Sequence, residues 1–252
     1  MPTILGAATS GMAHMQTALD VVAHNLANLD TAGYKKYRAL HEGVPDPLAS
    51  PEGGRLGIGQ TTTDLVFSSA SLMVTDGPLN FAIEDDSFLR VTDYDGETLY
   101  TRYGGLDVDV NGTLLAFGAR PVPDIETGEP ITVPELWTQV AIDPKGIVSA
   151  MNLEGERVEI GQVAMVKFTN APGLEVTGEG YYRPGPNAGD ILIGPAASEG
   201  FAALRPGALE SSNVDMAEEI TNMLIAQRTY SACAKTFAVG DEMLAIATNI
   251  TR

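Results

Sequence analysis

The sequence is short of cysteine, of positive charge and of aromatic side chains, and each shortage closes off a class of function. Cys233 is the one cysteine, so there is no intrachain disulfide framework, and neither a Cys₄ nor a Cys₂His₂ zinc site can be assembled. Lys and Arg number 15 against 33 Asp and Glu, a formal net charge of −18. A surface of that sign repels phosphate backbones and anionic headgroups, which argues against nucleic acid and membrane-surface partners. No apolar run approaches the roughly 20 residues that span a bilayer. The opening Met1-Pro2-Thr3-Ile4-Leu5-Gly6 has neither the basic nor the apolar region of a signal peptide. The expectation is a chain that stays in the cytosol or leaves by a route needing no cleaved signal. What is present is globular: 252 residues, 44% hydrophobic and 19% charged, enough for a sizeable core.

Composition divides the chain into helical ends and a turn-rich middle, residues 36–211, which holds 14 of the 15 prolines. At the N-terminal end, Leu5, Ala8, Met12, Met15, Leu19, Val22, Leu26 and Leu29 follow alternating spacings of 3 and 4. That is a heptad stripe, which keeps register only by supercoiling on a partner. The helix is expected to end near Asn28, where Asp30-Thr31-Ala32-Gly33 is turn chemistry. From residue 1 to 29 the only charged side chain is Asp20, so the helix lacks the solvated outer face of an ordinary amphipathic one. Close neighbours on several sides are expected, from other chains in preference to the alternative of a central helix buried inside one large domain.

The C-terminal helix is expected after Ser211-Ser212-Asn213, capped by Asn213 or Asp215, with Met216, Met223, Tyr230, Phe237 and Leu244 recurring every seventh residue and Ile220 as a companion. It is the natural partner of the first helix. Between them the pattern is β. Leu106–Val110 alternates strictly and runs through Asn111-Gly112 into Thr113-Leu114-Leu115, predicting a type I′ hairpin. Further strands are predicted at 79–83, 88–92, 99–102, 139–142, 147–150, 158–160, 163–168 and 191–193. The turns include Tyr94-Asp95-Gly96, Pro144-Lys145-Gly146 and Leu153-Glu154-Gly155. An antiparallel sandwich or irregular barrel is expected, and Gly43 to Gln60 reads as a loop. The fold class is α+β: N- and C-terminal helices paired as a coiled coil, with an inserted antiparallel all-β domain. The expected divisions are a helix within 1–35, an extended linker over 36–70, a β-rich domain over 71–211 and a helix within 212–252.

Candidate chemistry is thin. Asp107, Asp109, Asn111 and Gly112 fit the first half of a calcium loop, but the required bidentate acid is Gly118, so the hairpin reading is preferred. Glu84-Asp85-Asp86 and Asp93/Asp95 read as solvated turns. His14, His24 and His41 have no metal-ligand spacing, and Cys233 reads as a small packed residue. No phosphate-binding loop, nucleophile elbow or zincin motif occurs. No enzyme, cofactor or metal is expected.

The junctions carry a resemblance. Ala23-His24-Asn25-Leu26-Ala27-Asn28-Leu29-Asp30-Thr31-Ala32-Gly33-Tyr34-Lys35 resembles the signature of the bacterial flagellar axial proteins, the rod and hook family. At the far end Leu209-Glu210-Ser211-Ser212-Asn213-Val214-Asp215, then Gln227-Arg228-Thr229-Tyr230, resembles that family's C-terminal motif. Tyr100-Thr101-Arg102-Tyr103-Gly104 resembles its central hairpin. Asn25, Asn28, Thr31, Gly33, Tyr34, Leu209, Glu210, Ser212, Asn213, Val214, Gln227 and Arg228 are the motif residues. The stretch from Gly53 to Gln60 is similar to the distal branch of the family, with the branch at the proximal–distal boundary as the alternative and, more remotely, a calcium-dependent β-domain binding module.

The resemblance implies a structural subunit of the basal-body rod. Its terminal helices would form an inner coiled-coil layer and its β domain an outer one. Subunits would stack into a hollow helical drive shaft that carries motor torque to the hook. Implied partners are further copies of the chain, adjacent rod proteins and the hook protein, the flagellar type III export apparatus, and outer ring (bushing) proteins.

Overall fold

The computed structural model describes residues 2–45 and 55–250. Two long helices bracket the chain, and the segments between them are strands paired antiparallel throughout. The elements group into two units. One holds the helices and a hairpin; the other holds Asp30–Lys35 together with Phe67–Asn213.

In the helical unit, α1 spans Pro2–Ala27, with proline at the first helical position where its missing N–H costs nothing. It ends as the spacing predicts: Asn28 N–H turns back to the Asn25 carbonyl at 3.1 Å, and Asn28 Nδ2 donates to the carbonyl of His24 at 2.9 Å. The second helix, α2, spans Met216–Ile250. Asp215 is its cap, accepting from the N–H groups of Ala217 at 2.8 Å and Glu218 at 3.1 Å, which satisfies donors that a helix start leaves orphaned.

The expected linker over 36–70 is corrected here. Its larger part is a hairpin of β1, Tyr37–Pro45, and β2, Arg55–Leu65, in antiparallel register with Tyr37 opposite Leu65 and Leu40 opposite Thr62. The Gly and Pro content of 43–60 suggested a loop. The β-branched run Thr61-Thr62-Thr63 and the length of the pairing outweigh it. Residues 46–54 of that expected loop lie outside the described residues.

The β unit is built around a six-stranded sheet ordered Leu174–Gly178, Tyr181–Pro184, Thr98–Thr101, Ser87–Thr92, Met165–Phe168 and Ile191–Gly194. Two three-stranded sheets, Thr138–Ile142 with Ile147–Met151 and Arg157–Gln162, and Leu106–Val108 with Leu114–Ala116 and Arg120–Pro121, complete it. Two short pairs join early and late segments: Phe81–Ile83 with Leu204–Pro206, and Leu72–Val74 with Ala208–Glu210. One continuous core runs through Phe81, Leu89, Leu99, Leu114, Val148, Met165 and Tyr181. Aromatic rings, scarce in the chain, collect here edge to face: Phe88 meets Phe67, Phe168 and Tyr182 with centroids 5.4 to 5.8 Å apart.

Four turns repeat one chemistry. Asp93, Asp109, Asp143 and Asn152 each accept at their carbonyl from a glycine three residues on, and Gly96, Gly112, Gly146 and Gly155 all have φ near +80°. The Asp109 turn is therefore not type I′. Asn111 keeps a negative φ, and a type I turn leads into a left-handed glycine.

Candidate assembly interface

The two helices pack against each other antiparallel. Asn25 lies against Glu219, Gly11 against Cys233 and Leu5 against Gly240, so contacts step in opposite directions along α1 and α2. At both glycines a side chain of the other helix takes the space that a Cβ would fill. A Cβ on Gly11 would sit 3.0 Å from Cys233 Sγ, and one on Gly240 would sit 3.0 Å from a Leu5 methyl.

The buried line of α1 is Ala8, Gly11, His14, Val22 and Asn25. Of the predicted stripe, Ala8 and Val22 are buried, while Leu5, Met12, Met15, Leu19, Leu26 and Leu29 are half-buried. The intrachain partner thus takes a face rotated from the leucine row, using small residues the heptad pattern did not rank. His14, which lies outside the predicted stripe, is 2% exposed. On α2 the buried row is Glu219, Ala226 and Gly240, with Cys233 half-buried between them. The predicted row fares differently: Met223, Tyr230 and Leu244 are half-buried, whereas Met216, Ile220 and Phe237 are exposed. Leu224, Ile225, Val239, Met243 and Ile246 are exposed as well, each between 39% and 57%.

One polar junction ties the helical unit together. Asn25 Oδ1 accepts from Tyr37 N–H at 2.9 Å, and Asn25 Nδ2 donates to the Tyr37 carbonyl at 2.9 Å and to Glu219 Oε1 at 3.3 Å. This motif asparagine therefore binds α1 to β1 and to α2 at once. Burial pushes the Glu219 carboxyl above its usual range, against the opposing pull of Asn25 and the Lys36 charge. Lys36 pairs with Glu218 at 2.9 Å on the rim.

Motif residues from both junctions, Gly33, Lys35 and Glu210 among them, converge inside the β unit. Gly33, at φ +73°, donates its N–H to the Glu210 carbonyl at 2.7 Å, and a Cβ there would meet the Tyr103 backbone at 3.0 Å. That close approach is why the position holds glycine. Lys35 Nζ lies 2.7 Å from Glu210 Oε1 and donates to the Ser68 carbonyl at 2.8 Å. Arg102 Nη2 stands 3.3 Å from Glu210 Oε2, and Arg102 Nη1 donates to the carbonyls of Asp85 and Ser87. All three side chains are at most 1% exposed. Burial, and then the Arg102 charge, hold the Lys35 amine below its ordinary value. Leu209, Ser212 and Val214 are buried, and Asn213 Nδ2 donates to Ser68 Oγ at 3.1 Å. Tyr34 is half-buried and Thr31 exposed, with the Thr31 carbonyl accepting from Tyr34 N–H at 3.2 Å. Gln227 and Arg228 are exposed on α2. The sequence reading did not single out Lys35, Arg102 and Glu210 as one cluster. Arg102, the one charged residue of Tyr100-Thr101-Arg102-Tyr103-Gly104, was the available signal.

The acidic groups are engaged in turns: Asn111 Nδ2 donates to Asp109 Oδ2 at 3.2 Å, and Asp85 accepts from Ser87 and from Ala202 N–H. Among the described residues no group of three His, Cys, Asp or Glu could hold a metal ion.

The same segments match known proteins. Residues 5–35 match the family model described as flagella basal body rod protein, residues 82–150 the flagellar hook protein FlgE/F/G D1 domain, and residues 205–250 the flagellar basal body rod FlgEFG protein C-terminal model. The chain is 34% identical to the flagellar basal-body rod protein FlgG of Borreliella burgdorferi, covering 100% of both chains. It is 32% identical to the protein of that name from Bacillus subtilis, over 96% of this chain and 97% of that one. For the Agrobacterium fabrum counterpart the identity is 30% over the same shares.

Proposed function

Because this chain belongs to the family of flagellar basal-body rod and hook proteins, we propose that it is a distal rod subunit that stacks helically into a hollow shaft and passes motor torque to the hook. Its role is structural, and its place is the flagellar basal body. The terminal helices form the inner, coiled-coil layer of the shaft and the β unit its outer layer.

One observation supports this reading above the rest. A helix of 35 residues leaves Ile220, Leu224, Ile225, Val239 and Ile246 between 43% and 57% exposed. Large apolar side chains left exposed in that number on one helix mark an interaction site. A contact between two different faces of identical copies repeats without closing and yields a filament. Copies of this chain, the adjacent rod proteins and the hook protein are the partners in this reading. Export through the flagellar type III apparatus, and contact with the ring proteins around the rod, belong to the same proposal.

The test is electron microscopy of basal bodies from cells that lack the chain. Rods should stop short of the hook and regain full length on complementation. Full-length, hook-bearing basal bodies without it would overturn the assignment.

A further inference from the structure

Two heptad rows of the helical unit match in length, and neither is fully covered inside the chain, although Leu5 reaches Gly240 in the seam. On α1 the row is Leu5, Met12, Leu19 and Leu26, each half-buried. On α2 a row offset by one residue from the buried line is Ile225, Ala232, Val239 and Ile246. Its large members are 57%, 56% and 54% exposed and Ala232 is exposed as well. Each row holds four apolar positions seven residues apart, so each presents the same number of knobs at the same rise. Neither row contains a charge. The intrachain seam uses the small-residue line of both helices, and β1 and β2 pack on α1 through Val21, His24 and Tyr37. The leucine row lies on the opposite flank of α1 from those residues.

We propose that the Leu5–Leu26 row of one copy packs against the Ile225–Ile246 row of the next copy, as the specific lateral contact of the rod. This rests on the rod reading and adds which faces meet. Copies in a helical stack are related by rotation about one axis and translation along it, which preserves the polarity of elements running along that axis. Since α1 and α2 are antiparallel within a chain, α1 also meets the neighbouring α2 antiparallel. The facing pairs are Leu5 with Ile246, Met12 with Val239, Leu19 with Ala232 and Leu26 with Ile225. The two rows differ, so the contact is heterologous and propagates.

Cysteine pairs test the register in rods isolated from cells carrying the full chain in a Cys233→Ala background. Met12→Cys with Val239→Cys, and Leu19→Cys with Ala232→Cys, should convert the monomer band into a ladder of disulfide-linked dimers and higher species on mild oxidation. Met12→Cys with Leu224→Cys is the control and should stay monomeric. Each single variant is first checked for flagella. Loss of assembly only in a double variant would also report that its two positions share a contact. Rods that assemble with no ladder at either pair, or with an equal ladder in the control, overturn the proposed rows and leave the rod reading standing. Absence of the unsubstituted chain from isolated rods overturns both.

Discussion

The two units bury their apolar residues in opposite ways. The β unit fills a large interior: Leu89, Leu114, Val148 and Val166 are 0% exposed, even though Ile191, Leu192 and Ile193 on its edge strand stand between 42% and 52% exposed, and all aromatic side chains except Tyr37, Tyr230 and Phe237 lie in it. The helical unit does not. It joins its helices along a line rich in small residues, with Val22, His14, Asn25 and Glu219 buried beside them, and leaves Ile220, Leu224, Ile225, Val239 and Ile246 exposed. A domain whose purpose is to be a stable body fills its interior. A domain whose purpose is to join copies keeps large side chains for the next molecule and closes its own seam with small ones.

The largest expected effect concerns the ion cluster of the β unit. Glu210→Leu strands two buried cations, and breaking a buried pair in this way costs about 3–5 kcal/mol. Lys35→Met removes one of two cations competing for one carboxylate and leaves Arg102 with Glu210, so it should cost about 1 kcal/mol or less, in line with the modest net worth of a satisfied bond. Thermal melts of the two variants measure the asymmetry. Equal losses would mean that the cluster is not limited by its single anion.

Next comes one substitution made in each unit. Leu114→Ala empties a fully buried site and should lower stability by about 2–5 kcal/mol. Leu224→Ala, 51% exposed, should change the monomer's melting by no more than about 0.5 kcal/mol, yet weaken rod assembly and swimming. If Leu224→Ala destabilised the monomer as Leu114→Ala does, the contrast between the units would collapse.

This contrast was partly legible in the chain. Heptad spacing marked both helices, and the near absence of charge before Leu29 pointed to neighbours. Asn or Asp followed by glycine three residues on marked the β turns. Three features were not legible, for physical reasons. The seam runs through Gly11, Cys233 and Gly240, because a side chain of the facing helix needs the space a Cβ would fill, and hydrophobic patterns score glycine as neutral. The hairpin of β1 and β2 was hidden by its own Gly and Pro, which read as loop when a partner strand is out of view. The cluster of Lys35, Arg102 and Glu210 joins positions up to 175 residues apart, and nothing local announces such a pairing.

The seam can be probed more gently. Gly11→Leu must displace Cys233, and overpacking of this kind costs about 1–3 kcal/mol. The loss should appear in the helical circular dichroism while the near-ultraviolet signal of the β unit's aromatic core is kept. Gly11→Leu with Cys233→Ala makes room and should recover part of it. No recovery would mean that the two residues do not share the contact.

The smallest effect is a difference of sign with pH. In the β unit, burial pushes Asp85 upward, but hydrogen bonds from Ser87 and Ala202 and the Lys167 charge outweigh it and leave the carboxyl below 3.8. Asp124 is likewise lowered, its desolvation outweighed by the N–H groups of Gln162 and Thr127. Groups lowered in the folded state contribute stability above the unfolded value of 3.8, and that stability is lost as pH falls through their folded values. Glu219 behaves in reverse. Burial raises its folded value above 4.5, so between the two values the folded chain binds the extra proton, and stability falls as pH rises through that window. Acidifying from neutral should therefore firm the helical unit before acid begins to loosen the β unit. The helical melt of the parent followed downward from pH 7 reads the first change, and Glu219→Gln, which keeps a partner for Asn25 but cannot ionise, should flatten it. A rise that persists in Glu219→Gln would place the proton on another group. A fall in the parent would show that Glu219 is held ionised in the seam, reversing the difference between the two units.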